Sequence, residues 1–277
     1  MREKKWTAFR GETSAFEYPG KALLEHWPSL HAGDCEPYPT ERSLAARQKD
    51  GDSPAAATAD AVADAWRAFH RGDFHRAFEL GKQQGLAGFA VQVKAAGVYA
   101  SYLERSETHA QALLLEASQL AEQAATRLPK DCNAHYLYAF ALGRYSQRIS
   151  IAEALLRGLA GKVEKALEQT LKLQSRHAEA HIALGLYHAE ITARLGSFAA
   201  GLSYGASGKK AVEHFKKALK LTPRSAIAHL EYAHGLELLD RDEHAEQIDE
   251  LRAAAAKCEP LDASQWMDRE RARKAAS

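Results

Sequence analysis

The chain is poor in cysteine, proline and glycine. Of its 277 residues, 3 are cysteine, 8 are proline and 18 are glycine. Cys35, Cys132 and Cys258 are far apart and include no CxxC pair, which excludes a disulfide scaffold or a zinc ribbon and suits a reducing compartment. Alanine, the best helix former, makes up about one residue in five. Few helix breakers and abundant alanine together predict an all-α protein.

The chain also lacks an excess of either charge and any long apolar run. Lys and Arg number 37 against 36 Asp and Glu, which gives a formal net charge of +1 at pH 7. This balance does not favour nucleic acid as a partner. Because no run of about 18 apolar residues occurs, we expect no membrane span. The basic N-terminus is not followed by the apolar run of a signal peptide, so we expect a cytoplasmic protein.

Internal repetition is the clearest pattern that is present. Three segments each contain an Ala-His pair, and their histidines are separated by 46 and 48 residues. An amphipathic helix is predicted before each segment. A further copy is predicted around Gly72, and a broken one at WPSLHAGD, where prolines follow in place of the second helix. The three segments are 128–145, 173–188 and 221–238, with His135, His181 and His229.

The helices predicted before these segments resemble the second helix of the tetratricopeptide repeat (TPR). The family pattern places small residues and one large apolar residue on that helix and a proline after it. Over residues 57–260 the resemblance implies a right-handed α-solenoid of four to five antiparallel helix pairs. A middle copy departs from the pattern at Thr170 and Ser175. The matching residues are Ala117, Ala124 and Pro129 in one copy, and Ala211, Phe215, Ala218 and Pro223 in another.

The repeat period is longer than the ~34 residues of a standard TPR. The extra residues are 149–161 and 195–208, both apolar and glycine-bearing, and we expect apolar inserts to pack on something. Long repeats of this kind resemble bacterial TPR proteins similar to the T-component of tripartite ATP-independent periplasmic transporters. They also resemble the mitochondrial regulator-of-microtubule-dynamics proteins. Because the chain lacks an export signal, the transport role of the T-component is not carried over.

The pattern predicts three regions. Residues 1–56 are an N-terminal extension with a degenerate helix-turn and a linker, of which 40–56 are expected to be a flexible surface segment. Residues 57–260 are the TPR-like solenoid. Residues 261–277 are a capping helix with a charged outer face, which an open solenoid needs for solubility.

Catalytic and metal-binding patterns are weak in this sequence. There is no GxSxG elbow, and the Gly-Lys pairs at 161–162 and 208–209 lack the other residues of a phosphate-binding loop. His177, His181 and His188 return near one helical face, as metal ligands do. The repeat equivalence of His135, His181 and His229 nevertheless favours a packing or capping role. We therefore expect no enzyme activity, no metal site and no cofactor.

The TPR resemblance implies a binding groove, because the first helix of each pair lines the concave face in that family. We therefore expect a non-catalytic scaffold module that binds a helical or apolar segment of a protein partner there. The alternative is a carrier that holds a small hydrophobic ligand in the same groove. The inward positions are apolar and partly aromatic: Trp66, Tyr136, Phe140, Ile182, Leu186 and Leu230.

A second alternative is that the chain fills its own groove, because a large exposed apolar surface is costly in a monomer. The two apolar inserts are candidates for this role. The aromatic N-terminal segment, with Trp6, Phe9, Phe16 and Tyr18, is another.

Overall fold

The computed structural model describes residues 6–11, 13–45, 47 and 56–275. These residues divide into two compact units. Unit 1 comprises residues up to Ser29, Glu36–Ala166 and Asp262–Ser264; unit 2 comprises Leu30–Cys35, Leu167–Leu261 and residues from Gln265 onward. The predicted division at residues 56 and 260 stays a prediction.

The regular structure within the described residues is helical, which confirms the predicted all-α class. Two short helices, α1 (Ala22–Leu30) and α2 (Glu41–Ala45), precede the repeats. Among the described residues no helix combines the length and the apolar character needed to cross a membrane. The helices that follow are α3 (Ala56–Arg71), α4 (Phe74–Gln83), α5 (Phe89–Tyr102), α6 (Glu107–Arg127), α7 (Cys132–Ser146), α8 (Ile151–Leu156), α9 (Leu159–Leu173), α10 (Ala178–Leu195), α11 (Ser197–Tyr204), α12 (Gly208–Leu221), α13 (Ala226–Asp240), α14 (Ala245–Lys257) and α15 (Ala263–Ala275).

Five helix pairs follow one another along the chain. They are α3/α4, α5/α6, α7/α9, α10/α12 and α13/α14, and the apolar inserts form α8 and α11 inside the third and fourth pairs. In unit 1, α3 packs on α4, α4 on α5, α5 on α6 and α6 on α7. In unit 2, α10 packs on both α12 and α13, and α13 packs on α14. Within each unit these helices therefore pack on their neighbours along the chain, as in a repeat protein.

The first helices of the last three pairs begin with the same capping arrangement. The side chains of Asp131, His177 and Ser225 accept hydrogen bonds from backbone N–H groups two or three residues on. These groups lack intrahelical partners, so an N-cap acceptor stabilises the helix start. The caps recur with the same spacing as the Ala-His pairs.

The repeat pattern identifies α6 through Ala117 and Ala124, but it does not reveal α5 as the partner of that helix. Eleven of the fourteen residues of α5 are buried. A helix that is apolar on all sides lacks the 3.6-residue alternation by which amphipathic helices are recognised. This explains why residues 89–102 carried no repeat signal.

Phe215 of α12 lies between two glycines of unit 2. Its buried ring occupies the space where a Cβ atom would stand on Gly185 of α10 and on Gly235 of α13. The ring also stacks on Tyr232, with the ring centroids 5.1 Å apart. Three helices can approach one another here because two of them present no side chain. Gly185 and Gly235 therefore act as close-contact positions between the helices of unit 2.

Arg47 is buried in unit 1 and connects the N-terminal region to α7. Its guanidinium contacts the Glu36 carboxylate at 2.7 and 2.8 Å and donates through Nε to Asp131 at 2.9 Å. It also lies over the Phe89 ring, 5.2 Å from the centroid. Burial alone would lower the pKa of Arg47, but the carboxylates of Glu36 and Asp131 outweigh it and raise that pKa.

Arg47 and the helix α2 lie inside residues 40–56, the predicted surface linker. Residues 41–45 form α2 and Arg47 is buried, whereas residues 46 and 48–55 lie outside the described residues. Asn133 donates to Glu36 at 2.7 Å, and the Trp27 indole donates to the Glu36 carbonyl at 2.7 Å. The Glu36 carboxylate is therefore held by an amide as well as by a guanidinium.

Replacing Gly185 by alanine should destabilise the protein. The new methyl group would stand 2.7 Å from Cε1 of Phe215, so the helices must move apart at a cost of about 1–3 kcal/mol. Gly143→Ala in α7 is the matched control, since no heavy atom lies within 4 Å of its Cβ position. The control should be neutral or raise the unfolding free energy by up to about 1 kcal/mol. Urea denaturation measures both; equal effects would contradict the contact described.

Replacing Arg47 by alanine should cost about 3–5 kcal/mol, because it leaves the buried Glu36 carboxylate without its cation. The double variant Glu36→Gln/Arg47→Met removes both charges and should recover part of that loss. Arg157→Ala, which breaks an exposed pair with Glu153, should cost less than about 1 kcal/mol. Urea denaturation of the full chain compares the three. A loss for Arg47→Ala no larger than that for Arg157→Ala would contradict the structural role of Arg47.

Candidate interaction surface

The predicted groove residues lie mostly inside the two units. In unit 1, Trp66 and Tyr136 are buried and Phe140 is partly exposed. In unit 2, Ile182 and Leu230 are buried and Leu186 is partly exposed. The groove itself stays a prediction. In this conformation Phe140 and Leu186 are the two of these six residues that are exposed enough to contact a partner directly.

Each of the six residues has neighbours within its own unit. Phe140 fills the space in front of Gly97 on α5, and Tyr136 stacks on Phe140 with ring centroids 6.1 Å apart. Leu186 packs on the cluster around Phe215. Ile182 and Leu230 belong to two further apolar clusters of unit 2. These positions therefore contribute to the packing of their units.

The N-terminal region covers Trp66. The Trp27 ring of α1 meets the Trp66 ring edge to face, with centroids 5.8 Å apart. Further along the same unit, Trp6 stacks on Tyr99 of α5, with centroids 4.0 Å apart. Phe16 and Tyr18 are also buried. In unit 1 the N-terminal aromatic residues Trp6 and Trp27 thus pack on the first repeats, and the alternative that the chain fills its own groove stays a prediction.

The apolar inserts leave most of their large side chains exposed, although Leu159 of the first insert is buried. In α8, Ile151, Leu155 and Leu156 are exposed, and in α11 Phe198 and Leu202 are 85% and 78% exposed. The expectation that the inserts pack on something holds for Leu159, Ala200 and Ala206, and it is wrong for these five exposed side chains. Each insert instead presents apolar surface to solvent.

A pocket of about 220 Å³ lies between α4, α5 and α6 of unit 1. Its floor is buried and mainly apolar, and Ala117 leaves room there because its side chain is small. The opening is bordered by α6, whose residues at spacings of three and four share one helix face. The floor residues are Phe78, Gln92, Val93 and Ala117; Leu120 is half-buried; and the exposed border residues are Glu116, Gln119 and Gln123.

This pocket combines a small apolar volume with side-chain amides. Its volume accommodates one large side chain and is below the ~300–1,000 Å³ that is usual for small-molecule sites. The amides of Gln119 and Gln123 can donate and accept hydrogen bonds, as a peptide backbone requires. This site was not predicted from the sequence, although Gln92, which is buried in the mostly apolar α5, is a signal that was available.

The repeated histidines hold the turn before each first helix. Their Nε2 atoms lie 3.0–3.2 Å from the carbonyl oxygen six residues earlier. A carbonyl oxygen can only accept, so each Nε2 carries a hydrogen and donates. These bonds give the repeated histidines the structural role that was predicted for them as packing or capping residues. The pairs are His135 with Pro129, His181 with Ser175 and His229 with Pro223.

A group of three histidines lies between α10 and α12. His181 Nδ1 is 2.9 Å from His214 Nδ1, and the rings of His188 and His214 stack with centroids 5.6 Å apart. His181 donates through Nε2, so in its neutral form its Nδ1 accepts from His214. His177 instead caps α10. Within the described residues no group of three or more His, Cys, Asp or Glu could hold a metal ion.

The environment of these histidines disfavours their charged forms. Burial, with a contribution from Lys210, lowers the pKa of His188 to about 4. Burial, followed by the neighbouring histidines and Lys210, lowers the pKa of His214 to about 4. Burial also lowers the pKa of His181, with a smaller effect of Lys217 in the same direction.

Acidification should therefore destabilise unit 2 before it reaches pH 4. The unfolded histidines take up protons near pH 6.5, whereas the folded ones stay neutral, so stability present above pH 6.5 is lost as the pH falls towards 4. His188→Phe removes one of these groups and should make the loss between pH 6.5 and 4.5 smaller. Urea denaturation at several pH values measures this. The same pH dependence in parent and variant would contradict the contribution of His188.

Comparison with known proteins gives one family and one fold. The family model described as Regulator of microtubule dynamics protein 1-3 matches residues 66–275. Among solved structures, the chain is similar to a thermophilic TPR protein from Thermus thermophilus, with a TM-score of 0.56 and 14% sequence identity. That match covers 78% of this chain and 99% of the other. Comparison with curated proteins gives no match.

These findings confirm two predicted resemblances, to the TPR fold and to the regulator family. At 14% identity the structural similarity shows the fold alone. The resemblance to the transporter T-component stays a prediction.

Proposed function

The chain belongs to the regulator of microtubule dynamics protein 1-3 family, and from this premise we propose that it is a non-catalytic protein-interaction module that docks a peptide segment of a partner in unit 1. The fold and the family both support a helical repeat of the interaction type. The observation that carries the finer proposal is the pocket between α4, α5 and α6. One apolar side chain of the partner fills its floor, and Gln119 and Gln123 bond to the backbone on either side.

The size of the pocket distinguishes this proposal from a hydrophobic carrier. A carrier encloses most of its ligand, whereas a volume of about 220 Å³ holds no more than a small fragment. The exposed amides and Glu116 make the border polar, which suits a peptide that stays partly in solvent. Of the six residues of the predicted groove, Phe140 in unit 1 and Leu186 in unit 2 are partly exposed. Each is therefore a candidate for a further contact between its unit and a partner.

The cysteines support a cytoplasmic location for this module. All three lie among the described residues, and none forms a disulfide. Burial raises the pKa of both Cys35 and Cys258, which keeps these thiols protonated and unreactive near neutral pH. Thiols of this kind are typical of proteins in reducing compartments.

Selection of peptides from a random library against the full chain tests the proposal. We expect the selected peptides to share a single Leu, Ile, Met or Phe. Leu120→Arg should raise the Kd of such a peptide at least about tenfold, because it places a charge at the pocket. Gln119→Ala/Gln123→Ala, at exposed positions, should raise it about threefold to tenfold. Fluorescence anisotropy measures the Kd, and the thermal midpoint verifies that each variant is folded.

Leu24→Arg is the matched control, because Leu24 is an exposed leucine of unit 1 on α1, away from the residues that line the pocket. It should change the Kd less than twofold. Peptides that bind equally well to the parent, Leu120→Arg and the double alanine variant would contradict the pocket. A hydrophobic small molecule retained stoichiometrically in native mass spectrometry would instead favour the carrier.

A further inference from the structure

The insert helix α11 presents an apolar ridge on unit 2. Phe198 and Leu202 are four residues apart within α11, so they lie on one side of that helix. Phe198 and Leu202 are 85% and 78% exposed. Ala200, by contrast, is fully buried, which shows that the opposite side of α11 is fixed on the unit. The ridge therefore projects outward from a supported helix.

Basic residues border this ridge at both ends. Residues 195–208 contain no charged side chain, whereas Arg194 precedes them and Lys209 and Lys210 follow. Lys209 is 87% exposed, and Lys210 donates to the carbonyl of Gly205 at the end of α11. The acidic neighbours, Glu190 with Arg194 and Glu213 with Lys209, are 3.9 and 4.0 Å from them. Surface pairs at such distances contribute little, so both cations remain available to an anion.

Beyond Lys210 the exposed surface of α12 remains basic. Lys216, Lys217 and Lys220 are all exposed, and so is Arg224 after the helix. The positive charge thus extends from the ridge along the neighbouring helix. This distribution adds a local attraction for anions to a chain whose net charge is only +1.

An outward ridge with basic borders fits a membrane surface better than a folded partner. Two nearly fully exposed apolar side chains would each need a preformed pocket on a protein, whereas lipid chains rearrange around them. Apolar residues beside cations are the combination by which interfacial helices bind anionic bilayers. We propose that α11 is a peripheral membrane contact: Phe198 and Leu202 enter the boundary between headgroups and acyl chains, and Arg194 and Lys209 bind lipid phosphates.

The other insert provides the comparison. Leu155 and Leu156 of α8 are 50% and 89% exposed, so the apolar exposure is similar. Glu153 lies within that helix, however, and Arg157 pairs with it at 2.7 Å. The α8 insert thus carries a charged pair within its apolar stretch, whereas residues 195–208 contain no charged side chain, so we expect α11 rather than α8 to enter the bilayer.

Sedimentation of the full chain with lipid vesicles tests this contact. Vesicles of equimolar phosphatidylcholine and phosphatidylglycerol should bind the protein, and vesicles of phosphatidylcholine alone should bind it at least about tenfold less. Raising the salt from about 0.05 to about 0.5 M should weaken the binding. Phe198→Ser/Leu202→Ser should lower the partition coefficient about a hundredfold. Both positions are exposed, so the thermal midpoint should stay close to that of the parent.

Leu155→Ser/Leu156→Ser is the matched control and should change the partition coefficient less than twofold. Absence of binding to anionic vesicles would overturn the proposal. So would equal losses for the two double variants, or equal binding to both vesicle types. Sedimentation velocity tests whether a second copy of the chain covers the ridge instead. If the parent is a dimer that Phe198→Ser/Leu202→Ser converts to a monomer, the membrane contact is also overturned.

Discussion

The close approach of helices around Phe215 is the constraint on which unit 2 depends. Its ring takes the space that side chains on Gly185 and Gly235 would need, so α10, α12 and α13 meet at one point. Overlap of this kind cannot be relieved by rotating a flexible side chain, because the ring is buried and stacked on Tyr232. The same principle recurs in unit 1, where Phe140 occupies the space in front of Gly97. Glycines at these contacts thus set the distance between neighbouring helices, because close-packed interiors leave no room for larger residues there.

The N-terminal region determines which surface of unit 1 remains accessible. Trp27 packs against Trp66. Arg47 pairs with both Glu36 and Asp131, so it connects the N-terminal region to the start of α7. A residue that family resemblance assigns to a groove is thereby part of the core. The pocket between α4, α5 and α6 stays open, since its border on α6 is exposed. The proposed pocket therefore differs from the predicted groove, four of whose six residues are buried.

Features with a local or periodic signal were predictable, and those that depend on tertiary contact were not. The spacing of the Ala-His pairs predicts a repeated structural role for their histidines, and His135, His181 and His229 make the same bond in the structure. The helix α5 was missed because a fully buried helix shows no alternation. The burial of Trp66 depends on Trp27, far earlier in the chain, and the exposure of Phe198 depends on the absence of a covering element within the described part of unit 2. Neither the burial of Trp66 nor the exposure of Phe198 can be predicted from the residues adjacent to it in the sequence.

Hydrogen–deuterium exchange of the full chain, alone and saturated with a selected peptide, tests most directly whether unit 1 docks a side chain in its pocket. Binding should slow amide exchange in residues 74–83, 89–102 and 107–127, because the peptide closes the pocket that these three helices form. Exchange in α8 and α11 should stay unchanged. Slower exchange confined to α8 or α11, or spread evenly over both units, would contradict the pocket as the binding site.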